Sequence, residues 1–255
     1  MLGIFGSIVA MVLWVGGTLV TFLLIHTFWP PTRRRSHNEI VGWQMSVIGT
    51  TYAVILGFML YNVWDNFRTA DLNADQEANA LVSIYRLADG LPDSSRKEVQ
   101  AAARRYATIV VQEEWPDMSR RAFSPAGAAV TQELWATIVK VGREPSSQSA
   151  TFIQVAAQLA TMSEHRRVRH LESRSNLPVI LWIVLLSGGV ITIVSSCLLS
   201  SESFRLHFVL ILCLSLILGI TLLAIAEVDR PFQGPVRVQP DGFELALQTF
   251  SNSTQ

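Results

Sequence analysis

Long apolar runs and one long polar stretch alternate along this chain. Four runs, at about 4–29, 41–64, 178–199 and 206–226, fall into two closely spaced pairs. An α-helix rises 1.5 Å per residue, so ~20 apolar residues cross the ~30 Å hydrocarbon core of a bilayer. Each run has that length. The pattern therefore predicts an integral membrane protein that crosses the lipid bilayer four times.

The polar stretch begins with a segment that favours continued helix. No Pro or Gly occurs after Trp64 until Gly90, and the residues between them are mostly good helix formers. We therefore expect the second transmembrane helix to continue out of the membrane for ~25 residues, or ~38 Å.

Three further polar helices are expected after Gly90. Ser95 followed by Glu98 fits a capping box, and Ser124 before Pro125 fits an N-cap followed by Pro in the first turn. No alternating strand pattern appears. The expected helices are 96–115, 125–142 and about 149–174.

These elements predict an all-α membrane protein: four transmembrane helices with a helical domain inserted between the second and third. The expected segments are a hairpin 1–64, a polar helical domain 65–176, a second hairpin 177–226 and a C-terminal interfacial tail 227–255. A short helix is expected at 243–250 in the tail. The predicted domain core includes Leu134, Trp135, Ile138, Phe152 and Leu159.

Composition and motifs exclude several classes of function. Half of the residues are hydrophobic, which is typical of a membrane protein, and the 20 basic and 20 acidic residues balance, so no nucleic-acid partner is predicted. The His residues are scattered, with His165 and His170 five apart rather than the four of a helical metal pair. No catalytic motif or phosphate loop is present. We therefore predict no metal, no cofactor and no enzymatic activity.

Charge counting leaves the membrane orientation open. Arginines number four on the side of the short hairpin loops and seven near membrane ends on the side of the polar domain. The positive-inside rule gives short loops more weight, so the run Arg33–Arg35 favours cytoplasmic hairpins, whereas the totals favour a cytoplasmic polar domain.

Motifs spread over nearly the whole chain resemble the bestrophin-like domain family of bacterial membrane proteins, which has no established activity. The most specific is Asp229–Phe232 followed by Gly234. The other matching positions are His37–Asn38, Tyr52–Phe58, Glu77–Ala78, Tyr85–Arg86, Leu91–Pro92, Tyr106, Glu114–Pro116, Arg166–Arg167, Arg169, Leu177–Pro178 and Trp182.

A more distant resemblance is to bestrophins, which are pentameric ion channels, mostly for chloride, with a cytoplasmic helical domain. Val54, Leu56, Gly57 and Phe58 resemble their Val-Leu-Gly-Phe run, with Ile55 interposed and without the preceding proline. The resemblance implies a homo-oligomer, by analogy a pentamer, in the bacterial inner membrane with its helical domain cytoplasmic. It also implies transport of inorganic ions, anions more than cations.

The second span carries the candidate pore residues. Thr50, Val54, Phe58 and Tyr61 are spaced by four, four and three residues, so they share one helical face. In a channel this face would line the pore, where rings of apolar side chains gate by dewetting. The alternative is an ordinary packing face within a non-conducting sensor or scaffold that acts through its helical domain. A separate stripe of small residues, from Ser46 to Gly57, suits close helix approach.

Charged residues near the membrane ends are candidates for an ion vestibule or for structural ion pairs. The positions are Glu77, Arg86, Arg167, Asp229 and Arg230. Glu77, with Asp71 and Asp75, is expected to face Arg166, Arg167 and Arg169. Arg230 could instead anchor the chain at the membrane interface.

Overall fold

The computed structural model describes residues 4–143 and 150–252, and the regular structure in these ranges is entirely helical. The chain forms two compact units. Unit 1 comprises Met1–Asp65 and Asn176–Asp229, and unit 2 comprises Asn66–Ser175 and Arg230–Gln255. In chain order the helices are α1 (Ile4–Phe28), α2 (Pro31–Arg34), α3 (Asn38–Leu87), α4 (Asp93–Ile109), α5 (Trp115–Ser119), α6 (Pro125–Gly142), α7 (Ala150–Glu172), α8 (Val179–Leu198), α9 (Phe204–Val228) and α10 (Asp241–Asn252).

Four of these helices are long and apolar enough to cross a membrane: α1, α3, α8 and α9. They coincide with the four apolar runs of the sequence. Helix α3 has 50 residues without interruption, which confirms the predicted continuation of the second span, since it ends only at a short 3-10 turn, Ala88–Gly90.

Aromatic side chains that pack directly against glycines hold unit 1 together. The Trp14 indole occupies the space where a Cβ on Gly189 or Gly219 would lie, and its Nε1 donates to the Ser215 carbonyl at 3.1 Å. The Tyr52 ring of α3 packs against Gly188 in the same way, and its hydroxyl donates to the Leu185 carbonyl at 2.7 Å. These contacts fix α1 against α8 and α9, and α3 against α8.

Unit 2 has its own apolar core, to which α3, α4, α6, α7 and α10 contribute. Leu134, Ile138 and Leu159 are fully buried, as predicted, and Phe152 packs partly buried against the core. The prediction for Trp135 is wrong: its side chain is 40 % exposed, and its Nε1 donates to Ser163 Oγ at 2.9 Å. Trp135 follows Leu134 by one residue, a step of ~100° around the helix, so both cannot face the same core.

The predicted starts of two helices can be compared with the observed ones. Helix α6 begins at Pro125 as predicted, and Ser124 Oγ accepts from the Gly127 amide. The capping box at Ser95 is wrong. Helix α4 already begins at Asp93, directly after the extended Pro92, and Ser95 lies buried inside it. The expected start of α7 at Ser149 lies outside the described residues.

The chain end packs into unit 2. Gly234 has a φ of 86°, which a side chain would strain, in the loop that leads to α10. Helix α10 contains the predicted helix 243–250 and buries Phe243, Ala246 and Phe250. The Phe250 ring stacks on Tyr85 at 4.2 Å between centroids. A membrane-interfacial role for the tail 227–255 stays a prediction.

Candidate functional site

One face of the apolar N-terminal half of α3 contacts no other helix among the described residues of unit 1. Val54, Phe58 and Tyr61 are 53 %, 68 % and 67 % exposed, and Thr50 is exposed as well. At ~100° per residue the four side chains fall within an arc of roughly 80°. The structure therefore places the four predicted residues together on one exposed face of α3, which we call the open face.

The opposite side of α3 packs against the rest of unit 1. Tyr52, Leu56 and Val63 are buried in its core. They point roughly 180° away from the open face. Helix α3 thus has one side fixed by its own unit and one side free for lipid, a second subunit or water.

The open face is not uniformly apolar. A shallow groove on it is lined by Trp43, Ser46, Val47, Thr50 and Thr51. The Ser46 hydroxyl donates to the Gly42 carbonyl at 3.0 Å, a bond within the helix that leaves its oxygen able to accept another.

The predicted small-residue stripe lines a second groove. Gly49, Ala53 and Gly57 form its floor on α3, and Thr192 of α8 and Ile217 of α9 form its opposite wall. Apart from the adjacent backbone of α3, no atom of the described residues lies within 4 Å of a Cβ built on Gly57. Small residues in such a groove allow the backbone of another helix to approach closely.

The main group of charges lies in the interior of unit 2. Glu77 of α3 and Arg169 of α7 are both fully buried, and Arg169 Nε and Nη2 donate to the two Glu77 carboxylate oxygens at 2.6 and 2.9 Å. The Tyr106 hydroxyl donates to Glu77 Oε1 at 2.5 Å. The expected pairing of Glu77 with the arginine cluster is present, and its geometry is bidentate.

Glu114 completes this cluster from a π-helical turn, Val110–Glu114. Its two oxygens accept from Nη1 and Nη2 of Arg166, both at 2.9 Å, and Oε1 also accepts from Arg169 Nη2 at 2.8 Å. His170 Nε2 lies 2.9 Å from the same oxygen. A Cβ on Gly127 would overlap the Glu114 carboxylate, so glycine at this position makes room for the cluster.

Within the cluster, Glu114 and Arg169 favour each other's charged form. Burial alone would raise the pKa of the Glu114 carboxyl, but Arg169, His170 and Arg166 together lower it to about 2. Burial likewise opposes the charge on Arg169, yet Glu77 and Glu114 raise the pKa of Arg169 above its ordinary value. Two negative and two positive charges balance, which is the condition for burying ions without a large penalty.

Sequence reasoning missed Glu114 as a site residue and named it only within the family motif. The sequence of α7 nevertheless contained a pattern that predicts a buried acidic partner. Buried positions on α7 follow a spacing of four and three through Val155, Leu159 and Met162 to Arg166 and Arg169. An arginine that continues an apolar stripe needs a buried acid, since unpaired charges are rarely buried.

The remaining predicted charges are dispersed. Arg86 is exposed, and Arg167 is exposed and pairs with Glu164 at 2.7 Å. Asp229 Oδ1 accepts from the Leu177 amide at 2.8 Å. Arg230 is partly buried, and its carbonyl accepts from the Gln233 amide.

Within residues 4–143 and 150–252, no group of three or more His, Cys, Asp or Glu side chains is arranged to bind a metal ion. Both cysteines, Cys197 and Cys213, are free thiols.

A family model described as Bestrophin-like domain matches residues 12–243. No match was found among curated proteins.

Solved structures with a similar fold include variants of a bacterial bestrophin homologue from Klebsiella pneumoniae. One has a TM-score of 0.72 at 11 % sequence identity and covers 97 % of this chain and 98 % of its own. Another has a TM-score of 0.69 at 14 % identity and covers 96 % and 98 %. A third, described as a membrane protein, has a TM-score of 0.72 at 12 % identity and covers 97 % and 98 %. These likenesses establish the fold.

Proposed function

Since the chain belongs to the Bestrophin-like domain family, we propose that it is a homo-oligomeric ion channel, by resemblance a pentamer, that conducts anions in preference to cations. In this proposal the open face of α3 lines the pore. The proposal extends to topology: the helical domain is inserted between the second and third spans and lies on the cytoplasmic side of the bacterial inner membrane.

The observation that carries the proposal is the open face of α3. Thr50, Val54, Phe58 and Tyr61 project from a helix whose opposite side is fixed by Tyr52 and its neighbours. In a symmetric ring of subunits each such side chain is repeated around the axis. Rings of Val54 and Phe58 would then form apolar constrictions, and the Thr50 hydroxyls would form a polar ring between the membrane end of the pore and these constrictions.

Subunit association has a candidate surface beside this face. The groove floored by Gly49, Ala53 and Gly57 is open and apolar. A helix of a second copy could approach the α3 backbone closely there, and packing of that kind drives helix association in lipid. The groove and the open face are adjacent on α3, as a ring of subunits around a central pore requires.

Removing the Phe58 ring tests the pore. A narrow apolar ring resists wetting, so Phe58→Ala should widen and wet the pore and increase chloride flux severalfold in proteoliposomes. Selectivity follows from the reversal potential in a potassium chloride gradient, which should lie nearer the chloride than the potassium equilibrium potential.

Phe28→Ala is the matched control, because Phe28 is also an exposed phenylalanine but lies at the end of α1. Its flux should equal that of the wild type. If the wild type and Phe58→Ala are both silent while remaining folded oligomers, the conduction proposal is wrong and the scaffold alternative takes its place. Equal increases in chloride flux in both variants would show that Phe58 does not line the pore.

A further inference from the structure

Arg34 is the most completely buried cation of unit 1. It ends the short helix α2, between the first two spans, and only 2 % of its surface is exposed. Its Nη1 donates to the carbonyls of Cys197 and Leu199 at 2.5 and 3.2 Å. These carbonyls lie at the C-terminal end of α8, where the helix dipole is negative, so one side of the guanidinium caps α8.

The other side of the Arg34 guanidinium has no hydrogen-bond partner among residues 4–143 and 150–252. Nε and Nη2 are both buried, and neither donates a hydrogen bond within these ranges. These two nitrogens form one edge of the group, with two parallel N–H bonds that match two oxygens of a carboxylate or phosphate. The same edge of Arg169 holds Glu77 in a bidentate pair.

No acidic side chain in the described residues balances this charge. Neighbouring Arg35 pairs with Glu202 at 2.9 Å on the surface, and the ring of His207 points to the Ser196 carbonyl at the same end of α8. Burial of an ionised group without a counter-charge, and of two donors without acceptors, is costly. The arrangement is therefore that of a cation whose partner comes from outside the chain.

We propose that the Nε–Nη2 edge of Arg34 binds an oxyanion of the phosphate class. The site lies just beyond the end of α1 at Phe28 and Trp29, at the depth where lipid headgroups meet a spanning helix. A phospholipid headgroup and free inorganic phosphate present the same two oxygens. Because the edge is enclosed, Arg34 or the residues that cover it must shift as the anion binds, so binding should stabilise the fold measurably.

Ligand-dependent stabilisation tests the site without any flux measurement, independently of the proposed channel function. Full-length protein is delipidated in a neutral maltoside detergent at ~0.15 M salt, where surface charges are largely screened. Its Tm is then measured with short-chain phosphatidylglycerol, with inorganic phosphate, or with diacylglycerol, which lacks phosphate. At roughly one hundred times Kd we expect a rise of about 5 °C with a phosphate-bearing ligand and none with diacylglycerol. Native mass spectrometry should show one bound phospholipid per subunit if the source is lipid.

Arg34→Lys is the decisive variant. It keeps the charge and can still donate to the Cys197 carbonyl, so it should fold, but an ammonium lacks the two-pronged edge and should lose most of the ligand-dependent rise. Arg35→Lys, the same change at an exposed neighbour, should keep the rise. A rise with phosphatidylglycerol alone identifies a lipid site, and a rise with inorganic phosphate identifies a free-anion site. The absence of any rise in the wild type, or an equal rise in Arg34→Lys, would overturn the proposal.

Discussion

Adjacent side chains on α6 have opposite surroundings. Leu134 is fully buried in the core of unit 2, whereas Trp135 is 40 % exposed. Trp135 keeps one polar contact, from Nε1 to Ser163 on α7. The Trp135 ring therefore lies at the surface between α6 and α7. Leu134, although smaller, contributes more to the core.

We expect Leu134→Ala to lower the free energy of unfolding by roughly 2–5 kcal/mol, because it removes a buried side chain and leaves a cavity. Trp135→Ala should cost about 1 kcal/mol or less, close to the value of one partly exposed hydrogen bond. Chemical denaturation followed by circular dichroism gives both values. A larger cost for Trp135→Ala in a single-subunit state would mean that the indole is buried; a larger cost only in the oligomer would place it at a subunit contact.

At the scale of elements, unit 2 depends on ion pairs between helices distant in sequence. Glu77 on α3, Glu114 on the π-helical turn, and Arg166 and Arg169 on α7 converge in its interior. The Trp115 ring covers Arg169, whose Cζ lies 5.0 Å from the ring centroid. Removing one member leaves its partner charged and buried, which typically costs 3–5 kcal/mol.

The lowered pKa of Glu114 makes the stability of unit 2 depend on pH. Its ordinary pKa is 4.5 and its folded pKa is about 2. The unfolded chain therefore binds the proton first, and the stabilisation is complete above pH ~4.5 and is lost as the pH falls to ~2. The corresponding loss is on the order of 3 kcal/mol.

Glu114→Gln should reduce this acid dependence, measured as the free energy of unfolding between pH 2 and 6, and should also be less stable than wild type at pH 7. Glu133→Gln provides the control, since Glu133 pairs with Arg105 on the surface. It should retain the wild-type pH dependence. An unchanged acid slope in Glu114→Gln would show that other carboxyl groups account for the slope.

At the scale of the whole molecule, we predict from the four expected spans that 65–176 and both termini lie on the side of the membrane opposite the two hairpin loops. In a variant without Cys197 and Cys213, single cysteines at Ser36 and Ser94 should react with a membrane-impermeant maleimide from opposite sides. Both residues are exposed. Reaction of both from one side would show that the number of spans is not four. Ser147, another position for such a label, lies outside the described residues.

Local patterns in the sequence determined the class and the elements of this protein. Apolar runs of spanning length predicted the four membrane helices, because a bilayer imposes a minimum length on any helix that crosses it. The absence of Pro and Gly after Trp64 predicted the long α3, and Ser124–Pro125 predicted the start of α6. These signals depend on residues close together in the chain, so they can be recognised before the tertiary structure is known. The family resemblance inferred from the scattered motifs was confirmed by the match over 12–243.

Tertiary structure alone decided which side chains meet. The sequence predicted that Glu77 would face three arginines, but only the fold selected Arg169 for it and brought in Glu114 and Tyr106. It also buried Arg34, which the sequence analysis used only as part of the basic run Arg33–Arg35, and it exposed Trp135. The physical reason is that burial and pairing depend on residues far apart in the chain. A helical stripe shows which residues share a face, but not what that face will contact.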